Sequence, residues 1–73
     1  MPFTPEQIEE IFTYHAPDSE QVEQYKRIRD AAKAFAYILN QETPSCPSQT
    51  IAMRKLSECV MIANQSIALR GQW

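Results

Sequence analysis

Residues 14–40 read Tyr-His-Ala-Pro-Asp-Ser-Glu-Gln-Val-Glu-Gln-Tyr-Lys-Arg-Ile-Arg-Asp-Ala-Ala-Lys-Ala-Phe-Ala-Tyr-Ile-Leu-Asn. Tyr25, Ile28, Ala32, Phe35 and Leu39 recur at steps of three and four, and Val22, Ala36 and Ile38 widen that stripe. Such spacing is one face of an α-helix. Ala31, Ala32, Ala34 and Ala36 favour the helix intrinsically, and nothing in the run breaks it. The pattern predicts a helix over 19–40, roughly 30 Å long at 1.5 Å per residue. Just upstream, His15-Ala16-Pro17 forces a turn, because the residue before a proline is pushed out of the helical region. Asp18 and Ser19 are alternative caps, and Asp18 with Gln21 has the spacing of a capping box.

Working towards the N-terminus, Thr4-Pro5-Glu6-Gln7 is a second helix start: a threonine cap, proline at the first helical position, and a glutamine able to reach back. The helix it opens should end at Phe12 or Thr13. Its apolar patch of Ile8, Ile11 and Phe12 is too small to stand alone, so it is expected to dock on something larger. Phe3 is a candidate packing anchor. Working the other way, Asn40 to Pro47 carries two prolines and small polar residues that cannot continue the long helix. A link this short joins antiparallel neighbours. The last helix should begin at Pro47 or Ser48, capped by Ser45 or Ser48, and run to about Arg70. Gly71, the only glycine, stands where a left-handed cap is expected. The fold class is therefore all-α: a short helix (about 5–12) plus a long antiparallel hairpin (19–40 and 48–70), one domain over 1–73.

Apolar residues on the last helix exceed what this hairpin can hide. Positions 52, 56, 59/60, 63 and 67 form its main stripe, but Met53, Met61 and Ile62 fall outside it. Surplus apolar surface on a small protein points to a partner, most simply a second copy, so assembly as a homo-oligomer is expected. Size agrees, since a 73-residue chain builds a core worth only roughly 3–5 kcal/mol. Cys46 and Cys59 are expected as reduced, partly buried thiols rather than a bridge. With His15 the only histidine, no zinc spacing arises, and no cofactor is expected. The N-terminal run has no basic stretch before an apolar one, and no segment approaches the ~18 apolar residues of a membrane span, so a soluble intracellular protein is expected. Net charge of −2 argues against duplex nucleic acid, whose binding rests on many phosphate contacts.

The chain's seven cations are Lys26, Arg27, Arg29, Lys33, Arg54, Lys55 and Arg70. Lys26, Arg29 and Lys33 share one helix face and suit an anionic ligand. The plainer account is a solvated face laced by the pairs Glu23–Arg27, Lys26–Asp30 and Arg54–Glu58. Tyr14 in the turn is placed to stack on a nucleobase, or simply to rest on the hairpin. His15 lacks a paired acid or second ligand, so hydrogen bonding to a ligand's edge suits it better than catalysis. Arg70 serves either its own helix's terminal carbonyls or an anion near a symmetry axis. Asn64 and Gln65 could hydrogen-bond across an interface, and Trp73 is expected mobile or interface-packed. One glycine excludes a glycine-rich phosphate loop, and no nucleophile–base pair exists, so an enzyme is not expected.

Three runs carry a resemblance: Tyr14-His15-Ala16-Pro17; Gln21…Tyr25…Ile28-Arg29-x-Ala31-Ala32; and Ala52…Leu56…Val60-Met61-x-Ala63-Asn64-x-x-Ile67-Ala68. Over residues 12–70 the chain resembles the small phage anti-CBASS sponges (anti-CBASS protein two-like). That resemblance implies a compact helical homohexamer that sequesters cyclic dinucleotides between protomers without cleaving them. Some members also hold cyclic trinucleotides at separate sites on a three-fold axis. It implies immune evasion in the cytoplasm of an infected bacterial host. Carried over by position, Tyr14 is the base-stacking aromatic, Arg29 the phosphate-binding cation and Arg70 the arginine of the trinucleotide site. Ala31 departs from the pattern, standing where a hydroxyl is expected. Lys26 and Lys33 are neighbours able to compensate. The competing expectations are a helical adaptor that binds a host protein and a small nucleic-acid-binding regulator, the latter disfavoured by the acidic charge.

Overall fold

Two capping boxes open the first two helices in the computed structural model, which describes residues 2–72; the expectation for Trp73 lies outside that range. Helix α1 spans Pro5–Phe12, with Thr4 accepting from the Gln7 amide while the Gln7 side chain accepts from the Thr4 amide. Helix α2 spans Ser19–Glu42, and Asp18 and Gln21 repeat the exchange at 2.8 and 3.1 Å. Helix α3 spans Pro47–Ala68. The described residues contain three helices and no strand.

Helix α3 ends at Ala68, two residues short of the expected Arg70, and two other features differ from expectation for local reasons. Helix α2 continues to Glu42, because the break comes only where Pro44 constrains Thr43, whose amide still bonds back to Leu39. Neither Ser45 nor Ser48 caps α3. Proline at its first position leaves Cys46 as an extended N-cap residue without a side-chain bond. Gln49 secures that corner instead, reaching back to the Thr43 carbonyl and hydroxyl at 3.1 and 3.0 Å.

Helices α2 and α3 pack against each other as an antiparallel hairpin. Its open end is closed by Leu69, 3% exposed, and by Gln21, 9% exposed. The Gln21 amide does two tasks there: its oxygen completes the α2 capping box, and its Nε2 donates to the Ile67 carbonyl of α3 at 3.0 Å. Gln21→Ala strips a partner from both backbone groups at once. It should cost about 1–3 kcal/mol, and each kcal/mol lowers Tm by about 4–8 °C in a domain this size. An unchanged melting curve by circular dichroism would show that this clamp holds nothing.

The expectation that α1 docks is not met within the chain: no Cα of α1 lies within 8 Å of one in α2 or α3. The resulting shape is thin, 46 × 33 × 15 Å, with a radius of gyration of 15.7 Å. A compact chain of this length would have about 11 Å. Accessible surface reaches 6018 Å², against about 4600 Å² for a folded monomer of this mass. The excess surpasses the roughly 800 Å² that each partner buries in a standard interface. Ile8, Phe12, Phe35, Ile38, Ile51, Met61 and Ile62 all stand exposed. Both cysteines are free, Cys46 half-buried and Cys59 exposed rather than partly buried, on the open groove it lines with Ile28, Ala32 and Phe35 of α2. No helix among the described residues is long and apolar enough to cross a membrane.

Candidate ligand-binding site

The turn between α1 and α2, residues 13–18, folds back on α1. The Thr13 hydroxyl donates to the Glu9 carbonyl, and His15 Nε2 lies 2.6 Å from the Glu10 carbonyl. A carbonyl only accepts, so Nε2 carries the proton and donates. In the neutral ring Nδ1 is then left as the accepting edge. Tyr14, between these two anchors, is 83% exposed. The turn thus holds an aromatic ring out in solvent instead of resting it on the hairpin.

Opposite the turn, α3 ends in a paired reversal. The Arg70 amide bonds to the Ile67 carbonyl at 3.1 Å and the Gly71 amide to the Ser66 carbonyl at 2.8 Å. The left-handed position next to the cap residue Leu69 is held by Arg70 (φ 55°), with Gly71 (φ 76°) following. The left-handed cap expected at Gly71 therefore begins one residue earlier, on a side chain that pays a steric cost there. Arg70→Gly should stabilise the chain by about 1 kcal/mol, the low end of the left-handed penalty it relieves, read as a raised Tm. A lowered Tm would mean that the guanidinium contributes more to the fold than its backbone costs.

Tyr14, His15, Ala16, Gln21, Arg70 and Gln72 line one cleft of about 460 Å³, together with Glu10 and Ala68. Arg70 Nη2 stands 4.0 Å from Asp18 Oδ2, both side chains largely exposed. At that length and exposure the pair is a loose one, worth little in water. The guanidinium reaches towards Asp18 at the head of α2, and among the described residues no hydrogen bond joins it to its own helix's terminal carbonyls.

The remaining candidates lie elsewhere. Lys26 is bound to Asp30 at 2.9 Å. That hydrogen bond, against some desolvation and aided by the Lys26, Arg29 and Lys33 charges, holds the Asp30 carboxyl below its ordinary value of 3.8. A carboxylate lowered by folding stabilises at neutral pH, and the contribution is lost as pH falls through the folded value. Asp30 thus already offsets part of the basic face. Arg29 is exposed on α2. Lys33 lies at the edge of an apolar groove between α2 and α3, with Ala32, Ala36, Met53, Leu56 and Met61.

One chain thus unites Tyr14, His15 and Arg70 and leaves Lys26, Arg29 and Lys33 outside that cleft. The expected pairs Glu23–Arg27 and Arg54–Glu58 are not formed; Lys55–Glu58 at 3.9 Å is present instead. Glu10, Gln21 and Gln72 join the cleft without having been singled out for it. Gln21 was legible as a capping residue and as part of the second resembling run but not as a cleft residue, and no helical spacing signals the Glu10–His15 bond. Asn64 Oδ1 is buried without a hydrogen-bond partner, an acceptor suited to a donor from outside the chain. The described residues contain no group of three or more His, Cys, Asp or Glu that could hold a metal.

The profile of the Acb2/Tad1 hairpin domain matches residues 4–68, which takes in α1, the turn and both long helices. No curated protein and no solved structure matches the chain.

Proposed function

The chain belongs to the Acb2/Tad1 hairpin-domain family, that of anti-CBASS protein 2, and from that premise we propose that it is a non-enzymatic sponge for cyclic oligonucleotide second messengers. It binds cyclic dinucleotides between copies of itself and withholds them from bacterial antiphage signalling in the host cytoplasm. A phage anti-defence role with cyclic oligonucleotides as ligands is what this family is consistent with; the sponge, its residues and its assembly are our reading.

The observation that carries the reading is the cleft lined by both an exposed Tyr14 and a loosely held Arg70. A ring able to stack on a base beside a cation able to meet a phosphate is the minimum that a nucleotide needs. Its volume falls within the range of small-molecule sites. His15 offers a hydrogen-bonding edge there. Arg29 of a neighbouring copy supplies the second phosphate contact, with Lys26 and Lys33 adding to the field around it. A homohexamer suits a doubly charged, pseudo-symmetric ring, because a two-fold contact presents each group twice. Arg70 also serves a cyclic trinucleotide where copies meet at a three-fold axis. Since Arg70 and Tyr14 share a cleft within one copy, separation of the two ligand sites falls to the assembly.

Binding needs no nucleophile or metal, and sequestration without turnover is the expected activity. A thermal-shift panel tests this. A ligand at 100 times its Kd should add about 2.7 kcal/mol to stability. Stabilisation by cyclic dinucleotides and not by their linear forms supports the sponge. No response to any cyclic oligonucleotide would overturn it and put the exposed apolar faces to use in an adaptor for a host protein.

A further inference from the structure

Helix α1 is a complete amphipathic helix with nothing beneath it. Ile8 and Phe12 stand exposed, Phe12 at 82%, and no Cα of the hairpin helices comes within 8 Å. Helices this short do not persist in water without a surface to lie on. The chain also displays an apolar groove without a filler, between α2 and α3, lined by Ala32, Ala36, Met53, Leu56 and Met61, with Lys33 at its edge. Met61 is 64% exposed.

Charge tells which surface fits which. Residues 1–25 hold six carboxylates and no lysine or arginine; residues 26–73 hold all seven cations and three carboxylates. At 100° per residue, Glu9 flanks the face of α1 made by Ile8 and Phe12. We propose that α1 of one copy lies in the Met53/Met61 groove of a second copy, Ile8 and Phe12 filling it and Glu9 meeting Lys33. The second copy, not the same chain, is the occupant. Lys33 lies 14 residues into α2, about 21 Å along its axis. To reach it, α1 would need residues 13–18 almost fully extended. The Thr13–Glu9 and His15–Glu10 bonds instead fold that segment onto α1. Because the same bonds fasten Tyr14 to α1, seating α1 on a second copy brings the ring, and the cleft it lines with Arg70, to the contact between the two copies.

This inference rests on assembly of the chain with itself but not on the identity of the ligand. The test uses the full chain with Cys46→Ser and Cys59→Ser, to which Phe12→Cys and Met61→Cys are added. Isotopically heavy and light preparations are mixed, reassembled, oxidised and weighed under denaturing conditions. Heavy–light disulfide-linked species are expected at the level set by random mixing. A bridge found only within single chains, or no bridge, overturns the proposal. In parallel, Phe12→Asp should lower the particle mass by sedimentation while the α-helical signal of the hairpin persists. An unchanged mass with unchanged helicity also overturns it. If the wild-type assembly binds no cyclic dinucleotide while heavy–light bridges still form, the sponge reading fails and α1 exchange stands.

Discussion

Tyr14→Ala is expected to weaken cyclic dinucleotide binding by at least tenfold, with helical content and subunit number unchanged. The ring is 83% exposed in a turn that Thr13 and His15 anchor through their own bonds. Removing it therefore leaves the turn's supports in place. Stacking of one base on an aromatic ring is worth about 1–3 kcal/mol, and a two-fold site uses the ring twice. Each 1.4 kcal/mol is a factor of ten in Kd. Titration calorimetry reads the change, and Tyr14→Phe should restore most of it, since stacking needs the ring and not the hydroxyl. Wild-type affinity in the alanine variant would remove Tyr14 from the site.

Arg29→Ala is expected to act on the phosphates with comparable size. Hydrogen bonds to charged groups contribute about 1.5–3 kcal/mol each, and a two-fold site would present the contact twice. Arg29 is exposed on α2 and outside the cleft of its own copy, so its effect depends on the neighbour's position. Arg29→Lys should recover only part of the affinity, because a lysine cannot reproduce a forked contact to two phosphate oxygens. The residual binding of both variants should also depend less steeply on salt than the wild type. Full affinity in Arg29→Ala would assign the phosphates to Arg70, Lys26 or Lys33 alone.

Much of the helical framework was legible in the sequence because its determinants are local. Thr4/Gln7 and Asp18/Gln21 announce both capping boxes by spacing, and the three-and-four stripe from Tyr25 to Leu39 is the seam of α2. The start of α3 was harder to place: Pro47 determines it, leaving the neighbouring serines without a capping role. Periodicity also shows that α1 has an apolar face, but not which surface meets it. That is why docking was expected and no docking occurs inside the chain. Candidate residues divide in the same way. Tyr14 and His15 are sequence neighbours in a turn, while their approach to Arg70 follows from the antiparallel return of α3. The Asp18–Arg70 and Lys55–Glu58 contacts depend on side-chain reach, which a list of helical spacings does not resolve.

The central claim is that one copy is an incomplete object, with too little core and half a binding site, and that repetition supplies the rest. Native mass spectrometry of the purified chain, with and without a cyclic dinucleotide, tests this most directly because it counts subunits and ligands together. Six subunits, with bound dinucleotide remaining intact on the particle, is the expected result. A chain that stays monomeric at micromolar concentration, with or without the dinucleotide, would contradict it.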